Sequence, residues 1–350
     1  MKLLILTQKV DKEDPILGFF HNWILEFAKN VDKVSVICLE KGEYNLPNNV
    51  KVYSLGKEFS RSKIKYVKNF FNLILGLNRE YDSVFVHMNP IYLVLGGFFW
   101  RISKKKVGLW YSHRNVDLKL RIGSLFAEHI FTVAPEGFNL KRKNVHIMGH
   151  GIDIDLFKNT LRPENHNELR ILHVGRIAPI KNIDLLVKAV SLLKQKMIPK
   201  KIQVVLVGEP VTEEDQDYLL KIKKLVSDLK IEKQVSFLGA IPQREMPQIY
   251  ATAYLSVNLA PKGGFDKSVI ESIAVGVPVL VCNTTFSDFF GTHAQRFIFK
   301  ENNLEDFVSK IMTLLDLNNV KSIIKELQTK INLKFNAENT IKNIVNILKG

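Results

Sequence analysis

The chain has 350 residues, 46% of them hydrophobic and 24% charged, a balance that excludes intrinsic disorder and supplies apolar side chains for more than one ordinary core. A formal net charge of +15 points to anionic partners such as nucleic acid, anionic lipid or a polyanionic substrate, without choosing among them. Cys38 and Cys282 sit in the apolar runs VSVICL and VPVLVC without metal-ligand spacing, which excludes a disulfide framework and predicts buried strand residues.

In chain order, the N-terminus MKLLILTQKVDKEDP puts acids and a proline directly after a short apolar run. It lacks a signal-peptide core and cleavage site, so a cytosolic location is expected and the sequon Asn283-Thr284-Thr285 is chance. The runs KLLILT, VSVICL, VKVYSL, SVFVHM, VGLWYSH, IFTVA and VHIMGHG are predicted strands separated by amphipathic helical patterns, the signature of a mostly parallel sheet covered by helices. The longest apolar run, Ile91 to Trp100, falls well short of the roughly 20 residues that span a bilayer. After Gly151 the pattern restarts with LRILHVG, IQVVLVG, VSFLG, AYLSVNLA and VPVLVCN. Asp153 to His166, with Pro163 and several asparagines, reads as a linker. Ala337 to Leu348 is amphipathic and is predicted to lie back across the first domain.

The predicted class is α/β: two Rossmann-like, doubly wound parallel-sheet domains facing a cleft. The expected divisions are 1–155, a linker at 156–168, 169–334, and a C-terminal helix at 335–350 that packs back on the first domain. Open parallel sheets bind ligands beyond the carboxyl ends of their strands. That fits dehydrogenases, epimerases, phosphorylases and glycosyltransferases equally, but neither half carries the G-x-G-x-x-G dinucleotide fingerprint, which counts against a nicotinamide enzyme.

Three segments of the second half carry chemistry: HVGRIAPIKNIDLLVKAVSLL from His173, VSFLGAIPQREMPQIYATAYLSV from Val235, and GGFDKSVIESIAVGVPVLVCN from Gly263. Arg176 and Lys181 leave a strand end and reach a helix start, where two cations beside helix-terminal amides suit a diphosphate. Glu271 follows a glycine-rich loop and opens an otherwise apolar helix, where an unpaired carboxylate is costly and needs a donor, or where the helix dipole favours it.

In order, spacing and context these segments resemble the retaining glycosyltransferases of family 4, which have the GT-B fold. HIMGHGIDIDLF and KFNAENT extend the resemblance over nearly the whole chain, with the first half matched more loosely. The resemblance implies that Arg176 and Lys181 bind the donor diphosphate and stabilise it as leaving group, and that Glu271 holds the ribose hydroxyls. It places Gly175, Ile241 and the loop residues Phe265, Asp266, Lys267 and Ser268 at the donor. In the first half, His113 at the end of VGLWYSH resembles the histidine that contacts the transferred sugar, against the reading of a structural histidine. Gly18 in DPILGFF resembles the glycine that lets backbone approach the donor phosphate, against a plain helix-start glycine. Asp153-Ile-Asp155 looks like a metal-binding D-x-D but sits in the linker match, so neither metal nor cofactor is expected and the nucleotide-sugar is a co-substrate.

The implied activity is transfer of a sugar from a nucleotide-sugar to a glycan or lipid-linked acceptor with retention of configuration. A nucleotide-sugar 2-epimerase of the same fold and a catalytically silent sugar-nucleotide or polyanion-binding protein are the alternatives. The stretch 61–106 interleaves nine basic residues, Arg61, Lys63, Lys65, Lys68, Arg79, Arg101, Lys104, Lys105 and Lys106, with Tyr66, Phe70, Phe71, Phe98, Phe99 and Trp100, against only Glu80 and Asp82. Basic helices with an apolar face suit an anionic membrane surface, so peripheral membrane attachment rather than nucleic-acid binding is expected, unless the aromatics are core and the lysines a solvated face. One departure stands out. Family members commonly carry a glutamate seven residues before the ribose-binding one, and here Gly263 occupies that place. Asp266 is the nearest acid, as a replacement or as a plain cap of the helix that follows.

Overall fold

The computed structural model describes residues 1–163, 168–198, 200–261, 265–316 and 318–350. Residues 164–167 of the expected linker, and Gly263 with Gly264, lie outside the described residues. The chain divides into two compact units, the first formed by Met1–Asp153 with Lys334–Gly350 and the second by Ile154–Leu333.

The first unit holds β1 (Lys2–Val10), β2 (Lys33–Lys41), β3 (Val50–Ser54), β4 (Ser83–His87), β5 (Lys106–Trp110), β6 (His129–Thr132) and β7 (Val145–Ile147). They form one 7-stranded sheet in the order β3-β2-β1-β4-β5-β6-β7, and every adjacent pair is parallel. The central strand β1 buries Leu3, Leu4, Ile5 and Leu6 completely, as a strand covered by helices on both faces must. In the second unit β8 (Glu168–Val174), β9 (Lys201–Val207), β10 (Val235–Gly239), β11 (Leu255–Asn258) and β12 (Val279–Val281) make a 5-stranded parallel sheet in the order β10-β9-β8-β11-β12. Every run expected as a strand is one, and both units are doubly wound. Strand order reverses between β1 and β4 in the first unit and between β8 and β11 in the second, the crevices where open α/β sheets take ligands.

The C-terminal helix, Ala337–Lys349, belongs to the first unit as expected. Ile341, Ile344, Val345 and Leu348 recur at helical spacing and are buried. The Asn336 side chain caps its start by accepting from the Glu338 N–H at 2.7 Å. The helix packs on Gly18–Asn30 and on β5, and Gly108 of β5 has no room for a side chain, since a Cβ would lie 2.8 Å from Phe131 and 3.1 Å from Leu348. Ile152 closes the join, donating to the Phe335 carbonyl at 2.8 Å and accepting from the Ala337 N–H at 2.9 Å. Cys38 and Cys282 are buried as expected, and burial pushes each thiol up to about 12, far from the thiolate that reacts at neutral pH. Among the described residues no helix is long and apolar enough to cross a membrane.

Truncating the helix core tests its attachment. Ile344 is fully buried, so Ile344→Ala should cost about 2–5 kcal/mol in urea unfolding. A cost under about 0.5 kcal/mol would show that the helix does not pack where described.

Candidate functional site

The switch point of the second unit collects most of the predicted site residues. β8, β9 and β10 end next to or on glycines of positive φ, Gly175 at 153°, Gly208 at 128° and Gly239 at 72°. Gly208 is the most constrained, because a Cβ there would lie 2.1 Å from the Gly175 carbonyl oxygen. Gly175 donates to the Val207 carbonyl at 3.0 Å and Gly208 to that of Gly239 at 2.8 Å, so the three strand ends are tied together by backbone.

Beyond Gly175 the chain makes one short turn, Pro179–Lys181, passes through left-handed Asn182 and enters the helix Ile183–Gln195. The two predicted cations part company here. The Arg176 guanidinium, close to half exposed, lies 3.6 Å from the Asp215 carboxylate, which sits in a capping box with Thr212 at the start of Glu213–Asp228. Burial disfavours the ionised Asp215, but the N–H groups of Val211 and Thr212 and the Arg176 charge outweigh it and hold the carboxyl below its usual range. Lys181 is more enclosed, and its ammonium meets the Asp266 carboxylate at 2.8 Å. The buried Asn258, last residue of β11, donates to the same Asp266 oxygen at 2.6 Å.

Asp266 stands at the N-cap position of the helix Lys267–Val275, yet its side chain makes no capping hydrogen bond. The plain-cap reading is therefore corrected: Lys181 and Asn258 claim the carboxylate, joining the loop after β8 to the loop after β11. Behind them His173 of β8 is fully buried, and among the described residues neither ring nitrogen has a hydrogen-bond partner. Burial, with the Lys181 charge adding to it, lowers its pKa to about 4, so the ring is neutral at pH 7 and leaves the Lys181 charge to Asp266.

Glu271 lies in the second turn of Lys267–Val275 rather than at its opening, which removes the helix-dipole explanation for it. Its buried carboxylate accepts from Gln243 Nε2 at 2.8 Å and Tyr250 OH at 3.0 Å, and pairs with Lys267 Nζ at 3.0 Å. Lys267 also donates to Gln243 Oε1 at 3.0 Å. The expected need for a donor partner is thus met within the unit. Burial first, and the Glu271 charge second, raise the Tyr250 phenol well above its usual value, so it stays a donor. Ser268 offers its carbonyl to Tyr250 OH at 3.3 Å. Phe265 packs on Phe286 with ring centroids 4.3 Å apart, and Ile241 lies half-buried in the loop after β10.

Asn258, Gln243, Tyr250, Asp215 and His173 are the site neighbours that sequence reasoning missed. Asn258 and His173 left a readable signal, each a polar residue in an apolar strand run, LSVNLA and RILHVG. Tyr250 and Gln243 left none, because an amphipathic helix and the turn before it carry such residues routinely.

In the first unit, His113 is exposed in the loop after β5. Its N–H donates to the Gly137 carbonyl at 2.8 Å and its Nδ1 accepts from the Asn115 N–H at 3.0 Å, so the neutral ring carries its proton on Nε2. Gly18 is the first residue of Gly18–Asn30 and has an ordinary φ; the tight approach is to its own loop, since a Cβ would lie 3.0 Å from the Lys12 carbonyl. The aromatics of 61–106 divide. Phe70 and Trp100 are core, Tyr66, Phe71 and Phe99 are half-buried, and Phe98 is exposed. The outer face of Lys63–Gly76 instead exposes Ile64 and Leu75 beside Lys63, Lys65 and Lys68, and Ile91–Ile102 exposes Ile102 beside Arg101. Asp155 of the D-x-D pairs with Lys158. Among the described residues no group of three His, Cys, Asp or Glu is placed to hold a metal ion.

Comparison with known proteins follows this geometry. The profile of the glycosyl transferases group 1 matches residues 157–331, half of the chain. Mannosylfructose-phosphate synthase of Agrobacterium fabrum is 29% identical over 154 residues, 42% of this chain and 34% of that protein. Sulfoquinovosyl transferase SQD2 of Arabidopsis thaliana is 23% identical over 251 residues, 67% of this chain and 45% of that protein. The chain thus spans less than half the length of these curated relatives. The crystal structure of Anabaena HepE in complex with UDP superposes with a TM-score of 0.77 over 100% of both chains at 17% identity, a likeness of fold.

The Glu271 network predicts a stability effect of known sign. Tyr250→Phe leaves one buried carboxylate oxygen without its donor and should cost about 1–3 kcal/mol in thermal or urea unfolding. Combined with Glu271→Gln, the loss should be less than additive, and strict additivity would show the two side chains uncoupled.

Proposed function

The chain belongs to the glycosyl transferases group 1, and from that premise we propose that it moves a sugar from a nucleoside-diphosphate sugar to an acceptor. The observation that carries this reading is the pairing at the β8/β11 switch point: a largely enclosed ammonium on Lys181 held by Asp266, one residue before the Lys267–Glu271 pair. Breaking the bond between the anomeric carbon and the diphosphate sends negative charge onto the phosphates, and the sugar acquires oxocarbenium character. Cations aimed at the departing oxygens are where electrostatics lower the barrier most. Lys181 transfers from Asp266 to the diphosphate, and Arg176, more exposed and loosely paired, turns from Asp215 to join it.

Glu271 exchanges Gln243 and Lys267 for the ribose hydroxyls, which releases Lys267 toward the phosphate. Asp266, relieved of Lys181, takes the sugar hydroxyls that the glutamate absent at Gly263 would have held. Gly175, Ile241, Phe265 and Ser268 line the donor, Gly18 admits backbone to its phosphate, and His113 contacts the transferred sugar. The acceptor hydroxyl attacks on the face the diphosphate leaves, its proton passing to the departing phosphate oxygen, so configuration is retained without an enzyme nucleophile. Lysine and arginine meet the diphosphate charge, and the reaction needs no metal. HepE, solved with UDP-glucose, makes a UDP-sugar the first donor to try.

The acceptor in this reading is a lipid-linked or cell-surface glycan met at the cytoplasmic face of an anionic membrane. Ile64, Leu75, Phe98 and Ile102 are exposed beside Lys63, Lys65, Lys68 and Arg101, the combination of apolar and cationic groups that binds such surfaces.

Two outcomes are expected. Arg176→Ala and Lys181→Ala should each lower kcat by about 10²–10³, Arg176→Ala with little change in thermal stability and Lys181→Ala with some loss, since it strands the Asp266 carboxylate, and EDTA should leave the wild-type rate intact. A fully active double variant, or a rate that falls with EDTA and returns with manganese, would remove the assignment. In vesicle flotation the protein should bind phosphatidylglycerol vesicles and be released by salt, and Ile64→Asp with Phe98→Asp should abolish binding. Flotation indifferent to lipid charge would leave the lysines as a solvated face.

A further inference from the structure

A second polar site lies at the opposite edge of the same sheet. Arg162 reaches the segment before β11 and the turn before β12, donating to the carbonyls of Gly276 at 2.8 Å, Tyr254 at 3.1 Å and Ala253 at 3.3 Å. These groups mark the amino ends of β11 and β12, whereas Asn258 lies at the carboxyl end of β11 and Asp266 beyond it. Among the described residues Arg162 makes no ion pair and its buried Nε has no partner, and burial lowers its pKa to about 10. Carbonyl dipoles offset its charge.

Arg162 is one wall of a cavity of about 430 Å³. The helix Asn318–Lys334 supplies another, with Lys321, Lys325 and Gln328 following one another at helical spacing along the lining. Among the described residues no carboxylate lines the cavity, and neither lysine has an ion-pair partner. Three cations therefore line the cavity with no carboxylate among its described lining residues, and Ser322 adds a hydroxyl. Val275, Pro278 and Ile324 give the cavity an apolar side. Its size is that of a small-molecule site.

We propose that this cavity binds a small organic phosphomonoester, phosphate toward Lys321, Lys325 and Arg162 and organic body against Val275, Pro278 and Ile324. A phosphomonoester carries about −1.5 to −2 charges at pH 7, which suits a lining of several cations better than a carboxylate does. The site is separate from the proposed donor site and does not depend on that reading. It stands, though, at the far end of the helix Lys267–Val275, which carries Lys267 at its start and Glu271 in its second turn.

Calorimetric titration of the full chain with phenyl phosphate, in the presence of saturating UDP, tests the proposal. Phenyl phosphate should bind at one site, at least about tenfold (about 1.4 kcal/mol) more tightly than inorganic phosphate or phenol. Lys321→Ala with Lys325→Ala should weaken it by at least about tenfold, since exposed cations contribute modestly one by one, while UDP affinity stays within about twofold. No saturable binding at millimolar concentration, equal affinity for inorganic phosphate, or affinity unchanged in the double variant would each overturn the site. A failure of UDP to bind would bear on the donor reading alone, because phenyl phosphate can be titrated without it.

Discussion

An enclosed ammonium must have a counter-charge, and the position of the Lys181–Asp266 pair governs how the second unit is built around its switch point. Lys181 comes from the loop after β8 and Asp266 from the loop after β11, the neighbouring strands across which the order of the sheet reverses. Asn258 fixes the carboxylate from the end of β11, which draws Asp266 away from capping the helix it precedes. The charge is also local: His173 stays neutral by burial, and Arg176 is occupied 3.6 Å away with Asp215.

That arrangement has a chemical consequence. Both acids nearest the loop already hold a lysine, Asp266 holding Lys181 and Glu271 holding Lys267. In the proposed reading an anionic ligand enters by exchange, taking the lysines and giving the carboxylates new hydroxyl donors. A nucleoside-diphosphate sugar presents both kinds of group, phosphates for the cations and ribose and sugar hydroxyls for the acids. A simple phosphate would satisfy the lysines and strand the carboxylates, which costs free energy in a partly buried site. The exchange thus favours the complete donor over its fragments.

How much of this was legible in the sequence follows from the range of each interaction. Strand runs are local: β-branched and apolar runs such as KLLILT and LRILHVG declare themselves within a few residues, and all of them formed strands. The C-terminal helix was legible from its apolar period. Lys181 and Glu271 stood out because a charge beside a strand end or inside an apolar helix needs a partner. The partners did not stand out, because Asp266 meets Lys181, and Gln243 and Tyr250 meet Glu271, only through tertiary contact between separate strand–helix units. Asp266 before a helix was readable either as a replacement for the missing glutamate or as a cap, and only the approach of Lys181 across the sheet removes the cap. In 61–106 composition named the aromatics but not their direction, and Phe70 and Trp100 turned inward while Ile64, Leu75 and Ile102 stayed out.

The exchange of Lys181 from Asp266 to a diphosphate is tested most directly by removing the carboxylate charge and keeping its shape. In Asp266→Asn, UDP affinity measured by calorimetry should rise, because Lys181 is released from its internal partner, while turnover of the UDP-sugar falls, because the sugar loses its acid. UDP affinity that drops together with turnover, with stability unchanged, would contradict the account and show that Asp266 positions Lys181 rather than competing for it.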